Sequence, residues 1–445
     1  MLNTSSVTLR ASALAFVWVF LAACDDDAAP ASVTPDPTEG EKEDSAKIAA
    51  NWKSKIDHTW LHVDLADRTA EASIWFEPGR SSTVSLEAAG LTIDAVTSDT
   101  GPVAWEKRAG ALHIAHDVGK GPIHIDYRFP VEPQGEGLAG NGSTVLWPYY
   151  CGNLFPCRSG PADGMRFVME VSGTKSDERA IYPEELPADA PSYTLAFAVG
   201  RYTCQVLGKT PAATEVSVCW LPRGKTKALT GTKSLVKAFA WLESHIGPYT
   251  FGKKVASIAV AWGESAAGGM EHHPYWHIAT SEMELPLTHV HEAVHGWFGT
   301  GVRMRCWEDF VLSEGTTSYL SARALAQVTD ARTENAIWDE YEETLEATLE
   351  DEDILAWPTT CGKVDILDDG LFSNIVYMKG AFFWRDVAKA IGPEVLDEVF
   401  SGFYRARVGT AAGMQDLLDE VRIETGFDPA PLVQKWLRSR GNPLR

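Results

Sequence analysis

A chain of 445 residues with 45% hydrophobic and 10% aromatic side chains can bury two or three sizeable cores, which excludes a disordered protein. Its 61 acidic against 39 basic residues give a formal net charge of -22, which opposes binding to a phosphate backbone and excludes nucleic acid as a natural partner. The acidity reads as a solvated surface, with attraction of cationic substrates as the alternative.

Residues 1–23 carry Arg10, an apolar run from Ala11 to Phe20, and then Leu21-Ala22-Ala23-Cys24. The run is too short to cross a bilayer and reads as the core of a signal peptide. Leu21 to Cys24 resembles the lipobox of bacterial lipoproteins. That resemblance implies cleavage before Cys24, lipidation of its thiol, and anchoring in the bacterial cell envelope on the exported side without a transmembrane helix. The alternative is an ordinary secretory signal with Cys24 incidental. Residues 24–50 are rich in Asp, Glu, Pro, Ala, Ser and Thr and read as a disordered acidic linker.

Six further cysteines, Cys151, Cys157, Cys204, Cys219, Cys306 and Cys361, make an even number in an exported chain. None shows the close spacing of a structural zinc site, so disulfides are favoured. The spacing suggests Cys151 with Cys157, Cys204 with Cys219, and Cys306 with Cys361, without proving any of them.

Residues 51–204 alternate with period two: Leu61, Val63 and Leu65 with His62 and Asp64, and Ile123, Ile125, Tyr127 and Phe129 with His124, Asp126 and Arg128. Turn signals such as Pro78-Gly79, Gly101-Pro102 and Gly121-Pro122 separate the runs, so an antiparallel β domain is expected, as a sandwich or curved sheet. Its histidines, His58, His62, His113, His116 and His124, read as strand-surface residues. From residue 205 to 445 the pattern becomes mainly helical. A β segment around Val216 to Leu221 leads into a helical stretch, Lys227 to Ile246, and a strand from Val255 to Ala261.

A loop follows with Gly268-Gly269-Met270-Glu271-His272-His273. Its paired glycines let backbone approach a ligand closely, and Glu271 offers a carboxylate. Alone, a Gly-rich turn with one acid is an ordinary loop. Next comes His291-Glu292-Ala293-Val294-His295. On a helix, two histidines four apart share a face and converge on one metal ion, with Glu292 beside them to move a proton, while Val290, Val294 and Trp297 form an apolar stripe that anchors the helix. A catalytic zinc takes three protein ligands. Glu314 lies downstream, after Ser313, which reads as the N-cap of a second helix that could carry the carboxylate to the same ion.

His291-Glu292-x-x-His295 with Glu314 downstream and Gly268-Gly269-Met270-Glu271 upstream resembles the M1 family of zinc aminopeptidases, among the gluzincins. The family's exopeptidase motif is usually Gly-Ala-Met-Glu-Asn, and here Gly269 replaces Ala and His272 replaces Asn. The segment Tyr377-Met378-Lys379-Gly380 resembles the family's Tyr-x-Lys-Gly. The resemblance covers the β domain loosely and about Gln205 to Arg445 well, and the family's further β and helical domains find no room in this sequence, which implies a more open cleft.

The resemblance implies an α+β multidomain fold, an N-terminal antiparallel β domain followed by a thermolysin-like, mainly helical zinc-peptidase domain. It implies one Zn²⁺ held by His291, His295 and Glu314, proton transfer by Glu292, oxyanion stabilisation by Tyr377, and capture of a free N-terminus by Gly268, Gly269, Met270 and Glu271. The expected substrates are peptides with a free N-terminus. A second amine-binding group is expected from the β domain, with Trp147 to Asn153 the nearest candidate region. Two alternatives stand beside this reading. One is an endopeptidase using the same metal site; the other is a surface lipoprotein that binds peptides without catalysis, which the intact Glu292 argues against.

Overall fold

The computed structural model describes residues 48–132, 136–262, 268–359 and 361–444. The expected signal peptide, the lipidation residue Cys24 and nearly all of the acidic linker lie outside the described residues.

The N-terminal half is built on a seven-stranded sheet in the order Glu185–Ala190, Met165–Ser172, Ile56–Asp64, Thr69–Phe76, Ile123–Arg128, Thr92–Ser98, Gly101–Pro102. The alternation read from the sequence is its core pattern. Leu61, Val63, Ile123, Ile125 and Tyr127 are buried, whereas Asp126 and Arg128 face solvent. A second, three-stranded sheet adds Leu86, Leu112 and Ile114 to the same core. Each such aliphatic side chain contributes about 1.5–3 kcal/mol on burial.

Two expectations need correction. The pair Ile56–Asp64 and Met165–Ser172 is parallel, with His58 opposite Arg166. Period-two alternation marks the buried face of a strand but not its direction, and these strands are too far apart in sequence for a hairpin to fix it. His113 and His116 are buried rather than on the strand surface. His113 Nδ1 pairs with Ser85 Oγ at 2.8 Å and His116 Nε2 faces the Gly121 carbonyl at 3.0 Å, so both serve the β fold.

A five-stranded sheet opens the second half, in the order Thr203–Lys209, Glu215–Trp220, Lys254–Val260, Tyr275–Ala279, Gly269–Met270. Glu215–Trp220 and Lys254–Val260 run parallel, and their crossover carries α1 (Lys225–Gly231) and α2 (Leu235–His245). The single helical stretch expected there is thus broken near Thr232, whose Oγ1 turns back to the Ala228 carbonyl at 2.6 Å.

The helical layer follows: α3 (Pro286–Val294), α4 (Phe310–Val328), α5 (Ala331–Asp351), α6 (Asn374–Ile391), α7 (Pro393–Arg407), α8 (Met414–Thr425) and α9 (Ala430–Trp436). Gly392, at φ 97°, turns the chain between α6 and α7, a conformation that a side chain would strain. Asp330 caps the acidic helix α5 by accepting from the Thr333 N–H.

Among the described residues three disulfides form: Cys151–Cys157, Cys204–Cys219 and Cys306–Cys361. The last ties the turn before α4 to the segment before α6. No helix among the described residues is long and apolar enough to cross a membrane.

Candidate active site

Helix α3 starts on Pro286, whose missing N–H has no intrahelical partner at that position anyway. Val290, Val294 and Trp297 are all buried, so the stripe read from the sequence does anchor the helix. His291 and His295 sit one turn apart at its C-terminal end. His295 Nδ1 faces the Phe298 carbonyl at 3.1 Å, and donation there leaves Nε2 as the nitrogen facing the site. The turn that places Phe298 needs Gly299 at φ 102°; a Cβ there would lie 2.4 Å from Ser313 Oγ and 2.8 Å from His295 Nδ1.

Helix α4 brings in Glu314. Its Oε2 is 3.1 Å from His291 Nε2 and 3.3 Å from His295 Nε2. Ligand atoms about 2.1 Å from a tetrahedral ion stand roughly 3.4 Å apart, so this spacing fits three donors to one metal ion. Ser313 is not the N-cap. The helix begins at Phe310 after a 3₁₀ turn at Trp307–Asp309, because the apolar run Phe310-Val311-Leu312 is itself helical. Ser313 therefore lies in the first turns, with its Oγ 3.3 Å from Glu314 Oε1 and 3.4 Å from His295 Nδ1.

Glu292, Glu271 and His295 also place ligand atoms within 4.8 Å of one another. The glycine pair upstream explains how. Gly268 sits at φ 94°, and a Cβ on Gly269 would fall 2.5 Å from Glu292 Cγ and Oε1, so bare backbone rests against that carboxylate. Helix α6 completes the pocket with Tyr377, whose ring stacks on His291 at 5.9 Å between centroids. The cavity is lined by Gly269, Met270, Glu271, His291, Glu292, His295, Glu314 and Tyr377, together with Trp147 and Phe372. Gly268 adjoins it in sequence but does not line it.

The site is buried and negative. Burial first, then Glu271 and Glu314, push the Glu292 carboxyl well above its usual range, with His295 opposing. Burial also raises Glu314, but the charge on His295 and the hydrogen bonds from both histidines win and hold it at about 2. His295 goes the other way: burial would lower it, yet Glu314, Glu271 and Glu292 draw it up to about 10. Three carboxylates thus call for positive charge at this point, and a divalent cation on the set would answer the same field. The Tyr377 phenol is pushed up by burial and by the same three carboxylates, so it stays protonated, a donor.

Two features escaped the sequence. Trp147 and Phe372 meet at 4.7 Å between ring centroids and form the aromatic wall of the cavity. The region Trp147 to Asn153 thus reaches the pocket through an indole, while Asn153 instead donates to the Glu136 carbonyl. Behind Glu271 lie His272 and His273, both fully buried. The carbonyls of Tyr193 and Thr144 face the His272 ring without a hydrogen bond of normal geometry.

Burial lowers His272 and His273 to about 3 each. The folded protein therefore refuses protons that the unfolded chain takes up below about pH 6.5. Stability is full above that pH and falls as pH drops toward 3, with a slope on the order of 1.4 kcal/mol per pH unit for each histidine. Thermal melts from pH 7 to 4 should show this decline, and His272→Asn should flatten it; equal slopes for the two proteins would remove His272 from the effect.

A β domain is thus set against a helical domain, with two histidines of one helix meeting a glutamate of the next. Residues 234–436 match the Peptidase family M1 domain. It is 21% identical over 409 residues to "Probable aminopeptidase 1" of Sulfurisphaera tokodaii, covering 81% of this chain and 50% of that protein. With "Leucine aminopeptidase 2" of Neurospora crassa it shares 24% over 415 residues, 79% of this chain and 59% of the relative. The chain spans about half the length of these curated relatives. Its fold superposes on an M1 zinc metallopeptidase from Deinococcus radiodurans with a TM-score of 0.75 at 15% identity, covering 88% of this chain and 94% of the other. Native yeast LTA4 hydrolase gives 0.73 at 17% identity, over 88% of this chain and 69% of the other.

Proposed function

We propose that this protein is a zinc-dependent aminopeptidase that releases N-terminal residues from peptides. The observation that carries the reading is the convergence of His291, His295, Glu314, Glu292, Glu271 and Tyr377 on one buried cavity. His291, His295 and Glu314 would hold one Zn²⁺, which when bound supplies Lewis-acid polarisation of the scissile carbonyl and of the attacking water. Glu292, its carboxyl raised by burial, takes the proton of that water and passes it to the leaving amine. The Tyr377 hydroxyl donates to the oxyanion that develops on the carbonyl. Glu271 pairs with the free α-ammonium of the substrate and so fixes cleavage after one residue.

Tyr377→Phe keeps the ring against His291 and removes only the donor. We expect kcat to fall about 10²–10³-fold with KM little changed; an unaltered kcat would return Tyr377 to a packing role. Substrate register is tested by capping the amine. Alanyl-4-nitroanilide should be hydrolysed and its N-acetyl form should not. Equal cleavage of both would favour the endopeptidase and remove Glu271 from amine recognition, and hydrolysis of neither by zinc-loaded protein would favour the peptide-binding lipoprotein.

The lipobox-like Leu21 to Cys24 supports a lipid anchor at Cys24 that holds the enzyme on the exported side of the bacterial cell envelope.

A further inference from the structure

A second cavity, of about 450 Å³, lies where the β domain meets the catalytic domain, away from the metal ligands. Its walls carry Lys55, Arg158 and Arg303 against Glu77, Asp163 and Asp189. Arg158 and Arg303 are 3% and 6% exposed, yet among the described residues no carboxylate lies within 4.0 Å of either guanidinium. Their hydrogen bonds go to main-chain carbonyls alone. Arg158 reaches Trp52 and Ser85, and Arg303 reaches Ala162, Asp189 and Gly409. A guanidinium has five N–H donors, so donors remain on each.

The carboxylates feel the arginine charges across the cavity without touching them: Arg158 and Arg303 act on Asp163, and Arg303 on Asp189. Asp163 and Asp189 accept no side-chain hydrogen bond among the described residues, and burial raises both. Two buried guanidiniums and two half-buried carboxylates held out of hydrogen-bond contact leave room for a group that pairs with both signs. A simple anion would satisfy the arginines and be repelled by the aspartates, and a simple cation would meet the reverse.

We propose that this junction cavity is a binding site for a free α-amino acid, its carboxylate received by Arg158 and Arg303 and its ammonium by Asp163 and Asp189. Arg303 follows the metal helix closely in sequence and bridges β-domain and catalytic carbonyls, so an occupant there would brace the junction between the two domains. That the occupant is a product of the chain's own reaction rests on the aminopeptidase reading; the site itself does not.

The test is calorimetric titration of the full-length protein with L-alanine, acetate, ethylammonium and inorganic phosphate. Glu271→Gln removes the amine partner of the active site, and Asp163→Asn, similar in shape, removes that of the cavity. The expected result is alanine binding that persists in Glu271→Gln and weakens at least tenfold in Asp163→Asn, with neither acetate nor ethylammonium substituting. Arg303→Lys should weaken alanine as well, and circular dichroism shows whether each variant is folded. Alanine binding lost only in Glu271→Gln, no binding, or phosphate or acetate binding as tightly as alanine would each overturn the proposal. Hydrolysis of alanyl-4-nitroanilide is read separately: if it fails while Asp163-dependent binding persists, the site stands and only the origin of its ligand falls.

Discussion

Glu292→Gln should lower kcat by about 10²–10⁴-fold while the purified protein keeps one zinc per chain. The amide retains the shape of the carboxylate and its place against Gly269, where a Cβ would stand 2.5 Å from the side chain, so repacking is not required. What it loses is the capacity to accept a proton. The metal set is separate in this reading, because Glu314 Oε2 sits within 3.3 Å of both histidine Nε2 atoms. The structure also offers a competing donor set, Glu271, Glu292 and His295, with ligand atoms within 4.8 Å of one another. Metal analysis beside the rate measurement separates the two. Loss of zinc together with activity would make Glu292 a ligand, and activity near the parent level would exclude it as the base.

The readable and unreadable parts of this site divide along the range of the contacts. His291 and His295 could be paired from sequence because four residues make one helical turn, a geometry set by local backbone. Glu314, Glu271 and Tyr377 lie on three other segments, and nothing local says that they meet; the resemblance to a known family supplied that. Trp147 falls within the candidate region for amine binding but serves as an aromatic wall with Phe372, a pairing of two distant residues for which no spacing rule exists. The same holds for Arg158 and Arg303, which no spacing rule singles out and which are buried in the structure. Ser313 was misplaced because a serine before a helical run is a cap only when the run starts there. In the β domain, alternation gave the buried face of the strands at Leu61–Val63 and Ile123–Tyr127 and left the parallel pairing of Ile56–Asp64 with Met165–Ser172 invisible.

The second large effect concerns a contact far less conspicuous than the ligands. Helices α4 and α6 carry Glu314 and Tyr377, and they touch backbone to backbone at Gly315 and Gly380. A Cβ on Gly380 would stand 2.4 Å from Gly315 Cα and 2.9 Å from Val311 Cγ2; one on Gly315 would stand 2.7 Å from Gly380 Cα. Neither obstacle is the movable tip of a flexible side chain, so the helices themselves must separate. One turn further on, Trp384 Nε1 donates to Thr316 Oγ1 at 3.1 Å, which resists that separation. Overpacking of this kind destabilises by about 1–3 kcal/mol. The catalytic cost should be larger, because Tyr377 is three residues from Gly380 and Glu314 adjoins Gly315, and a misplacement of about 1 Å can lower a rate on the order of 10²-fold. Gly380→Ala is therefore expected to fold with a lowered melting temperature and to lose about 10²-fold in kcat, even though its methyl touches no substrate. A control at the exposed Gly441 end of the chain, Gly441→Ala, should leave both kcat and zinc content unchanged. Full activity in Gly380→Ala would show that the two helices tolerate a wider spacing, and that the positions of Glu314 and Tyr377 are set by contacts other than this one.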